Sequence, residues 1–229
     1  VREHYLPVGL NSNLPKKPFS IALALSDKLD TLVGFFGIGN KPTSSKDPYA
    51  LRRLALGLIR IIIENNKEFK IKDLINYSST LYEQQSFKFS NKFLHKELAD
   101  FLMDRLKYYM KEKGIRPDII DSSVNSFNVD HITKIYQKSL TFNKFINKEI
   151  GIDIISSYKR ASNILEQELK NKDFETSNST DPALFKNEYE KNLYKKVLEL
   201  RKYFTSSNIK EDYELTLKNL AESKKTVFE

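Results

Sequence analysis

Residues 22–53 constrain the fold of this 229-residue chain more than any other segment. The segment starts as an apolar stretch carrying Asp27 and Asp30, passes through the glycine-rich sequence GFFGIG, and continues as a polar loop to Asp47 and the proline after it. An aspartate followed by proline is typical of a helix start, because the carboxylate accepts hydrogen bonds from free N–H groups and the ring fixes a helical φ. The segment therefore predicts two helices joined by a glycine elbow and a loop.

Apolar residues recur at helical spacing along most of the chain, which has only seven glycines and seven prolines. Residues 54–63 are apolar nearly all round, which predicts a helix at the centre of the core. We predict an all-α protein of two packed helical bundle domains. The expected helices cover residues 18–36, 47–65, 72–84, 91–113, 118–125, 130–148, 153–171, 181–204 and 210–227, with Gly151 between two of them and Gly114 as a C-cap.

The sequence SSVNSFN at residues 122–128 is the best candidate for a domain boundary, because small polar residues there separate two strongly periodic regions. We assign residues 1–125 to a first domain and residues 126–229 to a second. The chain begins with Val1 and ends inside an amphipathic pattern, so we interpret it as a fragment of a longer chain, truncated at the end of its second domain.

Composition narrows the possible functions. The absence of cysteine excludes disulfides and thiolate metal sites and suits a reducing cytoplasm, and no apolar run approaches the length of a membrane span. The net charge of +8 favours a polyanionic partner, and the excess of basic over acidic residues is 5 in residues 1–70, 3 in residues 71–150 and zero beyond. Only 8 of the 38 basic residues are arginine, so each arginine is informative about sites that need a planar donor.

The residue 22–53 segment resembles the β-subunit family of bacterial heterotetrameric glycyl-tRNA synthetases, in which a similar run reads roughly ADKLDTLVGFFGIG and then PTGSKDPFALRR. Ser44 stands where the family usually has glycine, and Tyr49 where it has phenylalanine. The matching residues of the second part are Pro42, Thr43, Ser45, Lys46, Asp47, Pro48, Ala50, Leu51, Arg52 and Arg53.

Two further stretches are similar to the same family. YKRASNIL at residues 158–165 matches the start of its C-terminal anticodon-binding domain, and FLMDRLKYYMKEKGIRPD at residues 101–118 matches an earlier region. The resemblance implies that residues 1–125 are the C-terminal part of an HD-like helical domain with connecting helices. It implies that residues 126–229 belong to a DALR-like anticodon-binding helical domain, a bundle related to those of arginyl- and cysteinyl-tRNA synthetases.

The resemblance also implies a function. The chain is expected to be the tRNA-binding part of the β subunit of a glycine–tRNA ligase, supporting the ATP-dependent attachment of glycine to tRNA(Gly). Catalysis, ATP and Mg²⁺ are expected on the α subunit of an α2β2 assembly in the cytoplasm. No cofactor and no membrane partner are expected for this fragment, which alone is expected to be inactive.

Basic residues in the matching stretches are the candidates for tRNA contact, because helix starts and cations bind phosphates. Arg52 and Arg53 point about 100° apart on a helix, so we expect one to clamp the structure and the other to contact RNA or the partner subunit. Four aromatic side chains are candidates for stacking on unpaired bases: Tyr158, Tyr194, Tyr203 and Phe204. The alternative is that they pack in the core, as aromatic residues at helical spacing usually do. The candidate tRNA-binding residues are Lys41, Lys46, Arg52, Arg53, Arg105, Lys107, Lys159, Arg160 and Asn163.

Asp27, Asp30 and Asp47 are interpreted as structural, and the apolar residues around the first two predict that those carboxylates are buried. The first two also resemble the last metal-binding helix of HD-type phosphohydrolases, but that chemistry requires further histidine ligands. The chain has only His4, His95 and His131 and no His-Asp dipeptide, so no metal site is expected. The glycines of GFFGIG follow a helix rather than a strand, so they are attributed to close packing of Phe35 and Phe36 and not to nucleotide binding. An HD-type phosphohydrolase fragment and a helical protein–protein module remain the alternative functions.

Overall fold

The computed structural model describes residues 2–9, 11–126, 129–170, 180–205 and 213–228. Throughout these ranges the regular secondary structure is helical and no strand occurs, which confirms the predicted all-α class. No helix within the described ranges is long and apolar enough to cross a membrane. The α-helices are α1 Pro18–Gly37, α2 Leu51–Glu64, α3 Ile71–Gln84, α4 Leu94–Glu112, α5 Pro117–Val124, α6 Ile132–Ile146, α7 Glu149–Leu169, α8 Glu188–Thr205 and α9 Tyr213–Phe228, and the 3-10 helices are Val129–His131 and Pro182–Leu184.

The chain divides into two compact units, Val1–Leu140 and Thr141–Glu229. This division falls later in the chain than the boundary at residue 125 that the polar sequence suggested. The assignment of the two parts to an HD-like and a DALR-like domain stays a prediction.

Helix α2 forms the centre of the first unit, as its apolar sequence predicted. Leu58, Ile59, Ile61 and Ile62 are at most 1% exposed, and every residue from 57 to 63 is buried, so these two turns of the helix are buried on all sides. Helices α1 and α4 pack against α2 and also against each other. Each large aliphatic side chain buried in this way contributes about 1.5–3 kcal/mol to folding. The three helices therefore supply most of the apolar core of the first unit.

The start of α2 differs from the prediction. The helix begins at Leu51 rather than at the proline after Asp47, and Ala50 precedes it with a left-handed φ of 54°. The N–H of Ala50 donates to the Asp47 carbonyl at 3.1 Å, so Pro48 occupies a turn instead of the first helical position. Proline suits that turn position as well as it suits a helix start, and the sequence alone does not distinguish the two.

The glycine elbow at the end of α1 makes room for aromatic rings from a distant segment. A Cβ added to Gly37 would lie 1.9 Å from Cδ1 of Phe89, and one added to Gly34 would lie 2.6 Å from the Tyr82 hydroxyl. Phe35 instead stacks on Tyr49 with ring centroids 4.1 Å apart. The attribution to close packing therefore holds for Gly34 and Gly37, although the packed rings belong to residues 82 and 89. Gly39 differs, because nothing lies within 4 Å of its added Cβ and its φ is 78°.

Two buried cations fasten the N-terminal segment to the core. Lys28, only 1% exposed, donates from Nζ to the His4 carbonyl at 3.1 Å. Arg60, 5% exposed, donates to the carbonyls of Gly9 at 2.5 Å and Ser12 at 3.0 Å. Burial lowers the pKa of the Lys28 amine, and the neighbouring charge of Asp27 opposes that shift. The carbonyls replace the water that both cations lose on burial.

The second unit contains α7, α8 and α9, with α9 packed against the other two. Gly151 lies inside the first turn of α7 rather than between helices. An added Cβ there would meet the Phe145 carbonyl oxygen at 2.2 Å, so the close approach of the preceding backbone requires glycine. Helix α8 starts later than predicted: the carboxylate of Asp181 caps the short 3-10 helix, and Asn187 caps α8 itself. Glu190 accepts from the Lys186 N–H at 2.6 Å in a variant of the capping box.

Substituting Gly37 with alanine tests the elbow. Gly37→Ala is expected to lower the free energy of unfolding by about 1–3 kcal/mol, since the Phe89 ring must move out of an occupied position. The measurement is urea unfolding followed by circular dichroism. Gly9→Ala is the matched control, because nothing lies within 4 Å of its added Cβ, and it is expected to be neutral. Equal stability of the two variants would contradict the packing explanation.

Candidate nucleic-acid interface

The loop between α1 and α2 is closed by its own hydrogen bonds. The Thr43 N–H donates to the Lys46 carbonyl at 2.9 Å, and the Lys46 N–H donates to Oγ1 of Thr43 at 3.2 Å. The Arg52 guanidinium donates to the Thr43 carbonyl and lies 4.0 Å from the Asp47 carboxylate. Arg52 therefore fixes this loop from the first turn of α2.

Asp47 is the acceptor at the beginning of α2. Its Oδ1 accepts from the Leu51 N–H at 2.8 Å and its Oδ2 from the Arg52 N–H at 3.0 Å. The carboxylate thus satisfies two of the N–H groups that a helix start leaves without partners, although it lies outside the usual N-cap position. Its negative charge also faces the positive end of the helix dipole. This geometry agrees with the structural interpretation of Asp47.

A cleft opens beside α2 and α4. Its volume is about 590 Å³, and it contains four of the eight arginines of the chain. Arg53, Leu56, Gly57 and Arg60 form one stripe along α2, and Arg105 and Tyr108 form a second on α4, because residues three, four or seven apart share a helix face. The remaining lining residues are Pro7, Gly9, Asp47, Ala50 and Arg52.

Two of the four arginines have partners within the protein. Arg60 donates from Nε to the Glu64 carboxylate at 2.8 Å, in addition to its two carbonyl partners, and Arg52 is held by the loop. Arg53 is exposed and has no hydrogen bond or ion pair among the described residues. Arg105 lies with its Cζ 5.8 Å from the Phe101 ring centroid and 5.6 Å from that of Tyr108, and its buried Nε has no hydrogen-bond partner.

The carboxyl group of Glu64, the ion-pair partner of Arg60, has a lowered pKa. Burial by itself raises the pKa of the Glu64 carboxyl, but the hydrogen bond and charge of Arg60, a hydrogen bond from Tyr109 and the charge of Lys113 together lower it below the ordinary value of a glutamate. The Tyr109 hydroxyl donates to Oε1 of Glu64 at 3.2 Å. Burial, followed by the Glu64 charge, raises the pKa of Tyr109. Glu64 is therefore ionised at neutral pH and supplies the counter-charge of Arg60.

The basic residues of the first unit that were predicted to bind tRNA do not all lie in one site. Arg52, Arg53 and Arg105 line the cleft, whereas Lys41 pairs with Glu97 at 2.6 Å and Lys107 with Asp121 at 3.1 Å. Lys46 is exposed in the loop. Sequence reasoning missed Arg60 and Tyr108 as lining residues. The spacings of seven from Arg53 to Arg60 and three from Arg105 to Tyr108 were the signals available.

Asp27 and Asp30 are exposed on α1, whereas Lys28 and Leu29 between them are buried. The prediction that these two carboxylates are buried is therefore wrong. The Asp30 backbone carbonyl accepts from the Tyr82 hydroxyl at 3.2 Å. Within the described residues no group of three or more histidine, cysteine, aspartate or glutamate side chains is arranged to hold a metal ion.

The candidates of the second unit lie on one helix. Lys159, Arg160 and Asn163 are all exposed on α7, with Asn163 four residues after the first and three after the second. Tyr158 precedes them and is 71% exposed, so its ring does not belong to the core of this unit. The other aromatic candidates differ: Tyr194 is half-buried with its ring centroid 5.3 Å from that of Phe185, Tyr203 is half-buried, and the Phe204 side chain lies outside the described part.

Comparison with known proteins identifies relatives over most of the chain. Residues 1–125 match the family described as glycyl-tRNA synthetase beta subunit. The glycine–tRNA ligase beta subunit of Rickettsia canadensis is 37% identical over 222 residues, 96% of this chain and 31% of the relative. That of Cereibacter sphaeroides is 35% identical over 193 residues, 84% of this chain and 28% of the relative. The chain therefore spans less than a third of the length of these curated relatives.

Removing the Asp47 carboxylate tests its structural role. Asp47→Ala is expected to lower the free energy of unfolding by about 0.5–2 kcal/mol, as loss of a helix-capping side chain does. Thermal and urea unfolding measure the change. Asp100→Ala is the matched control, an exposed carboxylate within α4, and it is expected to stay within about 0.5 kcal/mol of the unchanged protein. An Asp47→Ala protein as stable as this control would refute the capping role.

Acid unfolding tests the Arg60–Glu64 pair. Because folding lowers the pKa of Glu64, the stability that its ionised form contributes is complete above the unfolded pKa and is lost as pH falls through the folded pKa. Glu64→Gln is therefore expected to be less stable than the unchanged protein at neutral pH, with the difference shrinking below about pH 4.5. Urea unfolding across this pH range measures it, with exposed Glu83→Gln as control. A difference independent of pH would contradict the assignment.

Proposed function

Because the chain belongs to the glycyl-tRNA synthetase β-subunit family, we propose that it is the tRNA-binding part of the β subunit of a glycine–tRNA ligase. In this proposal the α subunit binds ATP, Mg²⁺ and glycine, forms the glycyl-adenylate and transfers glycine to the 3′ end of tRNA(Gly). The β subunit binds the tRNA and completes an α2β2 assembly in the cytoplasm. This chain by itself holds no cofactor and is inactive in aminoacylation.

The observation that carries the tRNA-binding role is the set of cations without partners on the family-matching segments. Arg53 and Arg105 in the first unit and Lys159 and Arg160 in the second all lie where a phosphate has access, and none has an ion-pair partner among the described residues. Cations held in this way lower the free energy of a bound polyanion, because each phosphate contact releases condensed counterions. This charge pattern supports RNA as the partner.

The two adjacent arginines divide their roles in the proposal. Arg52 is the structural clamp, since its guanidinium bonds the loop carbonyl of Thr43, and Arg53 is the outward contact. Lys41, Lys46 and Lys107 lie outside the cleft lining and contribute longer-range attraction, which the ion pairs of Lys41 and Lys107 weaken. Their ammonium groups are compact point charges that need no fixed geometry to attract phosphates.

The exposed stripe on α7 is proposed to contact the anticodon region. Lys159 and Arg160 bind backbone phosphates, and Asn163 forms an edge hydrogen bond to an unpaired base, because single-stranded RNA is recognised mainly through stacking and base edges. The exposed ring of Tyr158 lies next to this stripe in the sequence and is suited to stacking on such a base.

Binding of labelled tRNA(Gly) transcript to the 229-residue chain at graded salt tests this proposal. Affinity is expected to fall steeply as salt rises, and Lys159→Gln or Arg160→Gln is expected to reduce the slope of log K against log[salt] by about 1. Lys170→Gln, an exposed cation at the end of the same helix, is the matched control and is expected to leave the slope unchanged. Fluorescence anisotropy gives both quantities. Salt-independent binding, or no binding, would contradict the proposal.

A further inference from the structure

We propose that the cleft between α2, α4 and the N-terminal segment is a nucleotide-sized phosphate site in which Arg53 and Arg105 together hold one phosphate group. The assignment of that phosphate to an RNA strand rests on the proposed function, whereas the phosphate site itself rests on the geometry of the cleft. The proposal is narrower than general tRNA binding, because it names one concave site, two ligand-binding side chains and a ligand of one nucleotide.

The side chains that line the cleft carry an excess of positive charge, which favours an anionic ligand. Asp47 is the one acidic residue among the described lining residues, and both of its oxygens accept from helix N–H groups. Arg60 is balanced by Glu64, and Arg52 lies near Asp47 and bonds a carbonyl. The charges of Arg53 and Arg105 are left without a counter-charge in the same concave space, where cations of one sign attract an anionic ligand.

Arg105 is oriented in advance of binding. Its guanidinium lies over Phe101 and Tyr108, two rings on its own helix, so its plane is held by cation–π contacts and not by a carboxylate. Among the described residues the guanidinium of Arg105 has no hydrogen-bond or ion-pair partner, so no neighbouring acceptor competes with a ligand for it. Guanidinium groups bind phosphates through paired hydrogen bonds, so Arg105 is suited to a phosphate ligand.

The walls of the cleft are fixed and leave room for more than a phosphate. Its volume of about 590 Å³ lies within the range of about 300–1,000 Å³ of pockets that bind small molecules and nucleotides. One wall is the N-terminal segment at Pro7 and Gly9, which Arg60 fastens through the Gly9 carbonyl. Tyr108, 38% exposed, offers a partly apolar surface beside the guanidinium of Arg105. A ribose and base therefore fit beside the phosphate.

The test measures binding of fluorescein-labelled tRNA(Gly) transcript to the full 229-residue chain and to Arg53→Gln, Arg105→Gln and the double variant. Each single variant is expected to bind about tenfold more weakly, as loss of one charge-assisted contact predicts. Because both arginines hold the same phosphate, the double variant is expected to lose less than the product of the two single losses. Lys92→Gln, an exposed cation of the first unit outside the cleft, is the charge-matched control.

Phosphorus NMR of AMP with the same proteins tests the phosphate site independently of tRNA binding. Line broadening of AMP by the unchanged chain, abolished in the double variant, supports the phosphate site whether or not tRNA binds. If the unchanged chain binds tRNA while the cleft variants bind like Lys92→Gln, the cleft inference fails and the proposed function stands. If tRNA does not bind but AMP broadening depends on both arginines, the proposed function fails and the site binds a free nucleotide.

Two further outcomes would overturn the inference. Multiplicative losses in the double variant would mean that the arginines contact separate groups rather than one phosphate. Equal displacement of AMP by glutamate would mean that the cleft selects carboxylates, as on an acidic partner protein. Because Arg53 is exposed, Arg53→Gln is expected to keep the unfolding temperature of the unchanged chain, and its result remains interpretable if Arg105→Gln is destabilised.

Discussion

The structure of the first unit depends on burying residues 57–63 of helix α2 on all sides. A helix so apolar has to be surrounded by other elements, and α1 and α4 provide most of that surface. Burial then makes every polar group of the helix a constraint, because buried donors without acceptors are costly. Asp47 satisfies the first N–H groups, and Arg60 in the middle of the helix takes carbonyls of the N-terminal segment and the carboxylate of Glu64. The course of the loop and of the first residues follows from these requirements.

The same constraint sorts the arginines by function. Arg60 lies in the buried turns of α2, so the protein itself supplies its hydrogen-bond partners, and Arg52 lies where it closes the loop. Arg53, one residue further round the helix, meets solvent and the cleft. One helix therefore carries cations that stabilise the fold beside a cation suited to a ligand. A uniform basic patch has no such division, because all of its cations are exposed.

Residues 22–53 resemble an active site when they are read as a sequence, with paired carboxylates, glycines and cations. In the fold these features separate into different roles. Asp27 and Asp30 face solvent on α1, and the elbow glycines accommodate the side chains of Tyr82 and Phe89. The cations are divided between the loop and the cleft. This distribution agrees with the proposal that the β subunit binds tRNA while the α subunit catalyses the reaction.

The sequence by itself determined the helical class, the family and the central position of α2, because these follow from local periodicity and from a long matching motif. It also located Arg52 and Arg53, which lie within that motif, and Arg105, which lies in the second matching stretch at residues 101–118. Only the tertiary structure decided that Lys28 is buried between two exposed aspartates and that Arg60 and Tyr108 line the cleft with Arg53 and Arg105. Hydrophobic periodicity does not predict a buried lysine, because the backbone carbonyl that accepts the hydrogen bond of its amine lies in a distant segment. Residues from helices distant in the chain come together only when α2 packs against α4, and no local pattern records that contact.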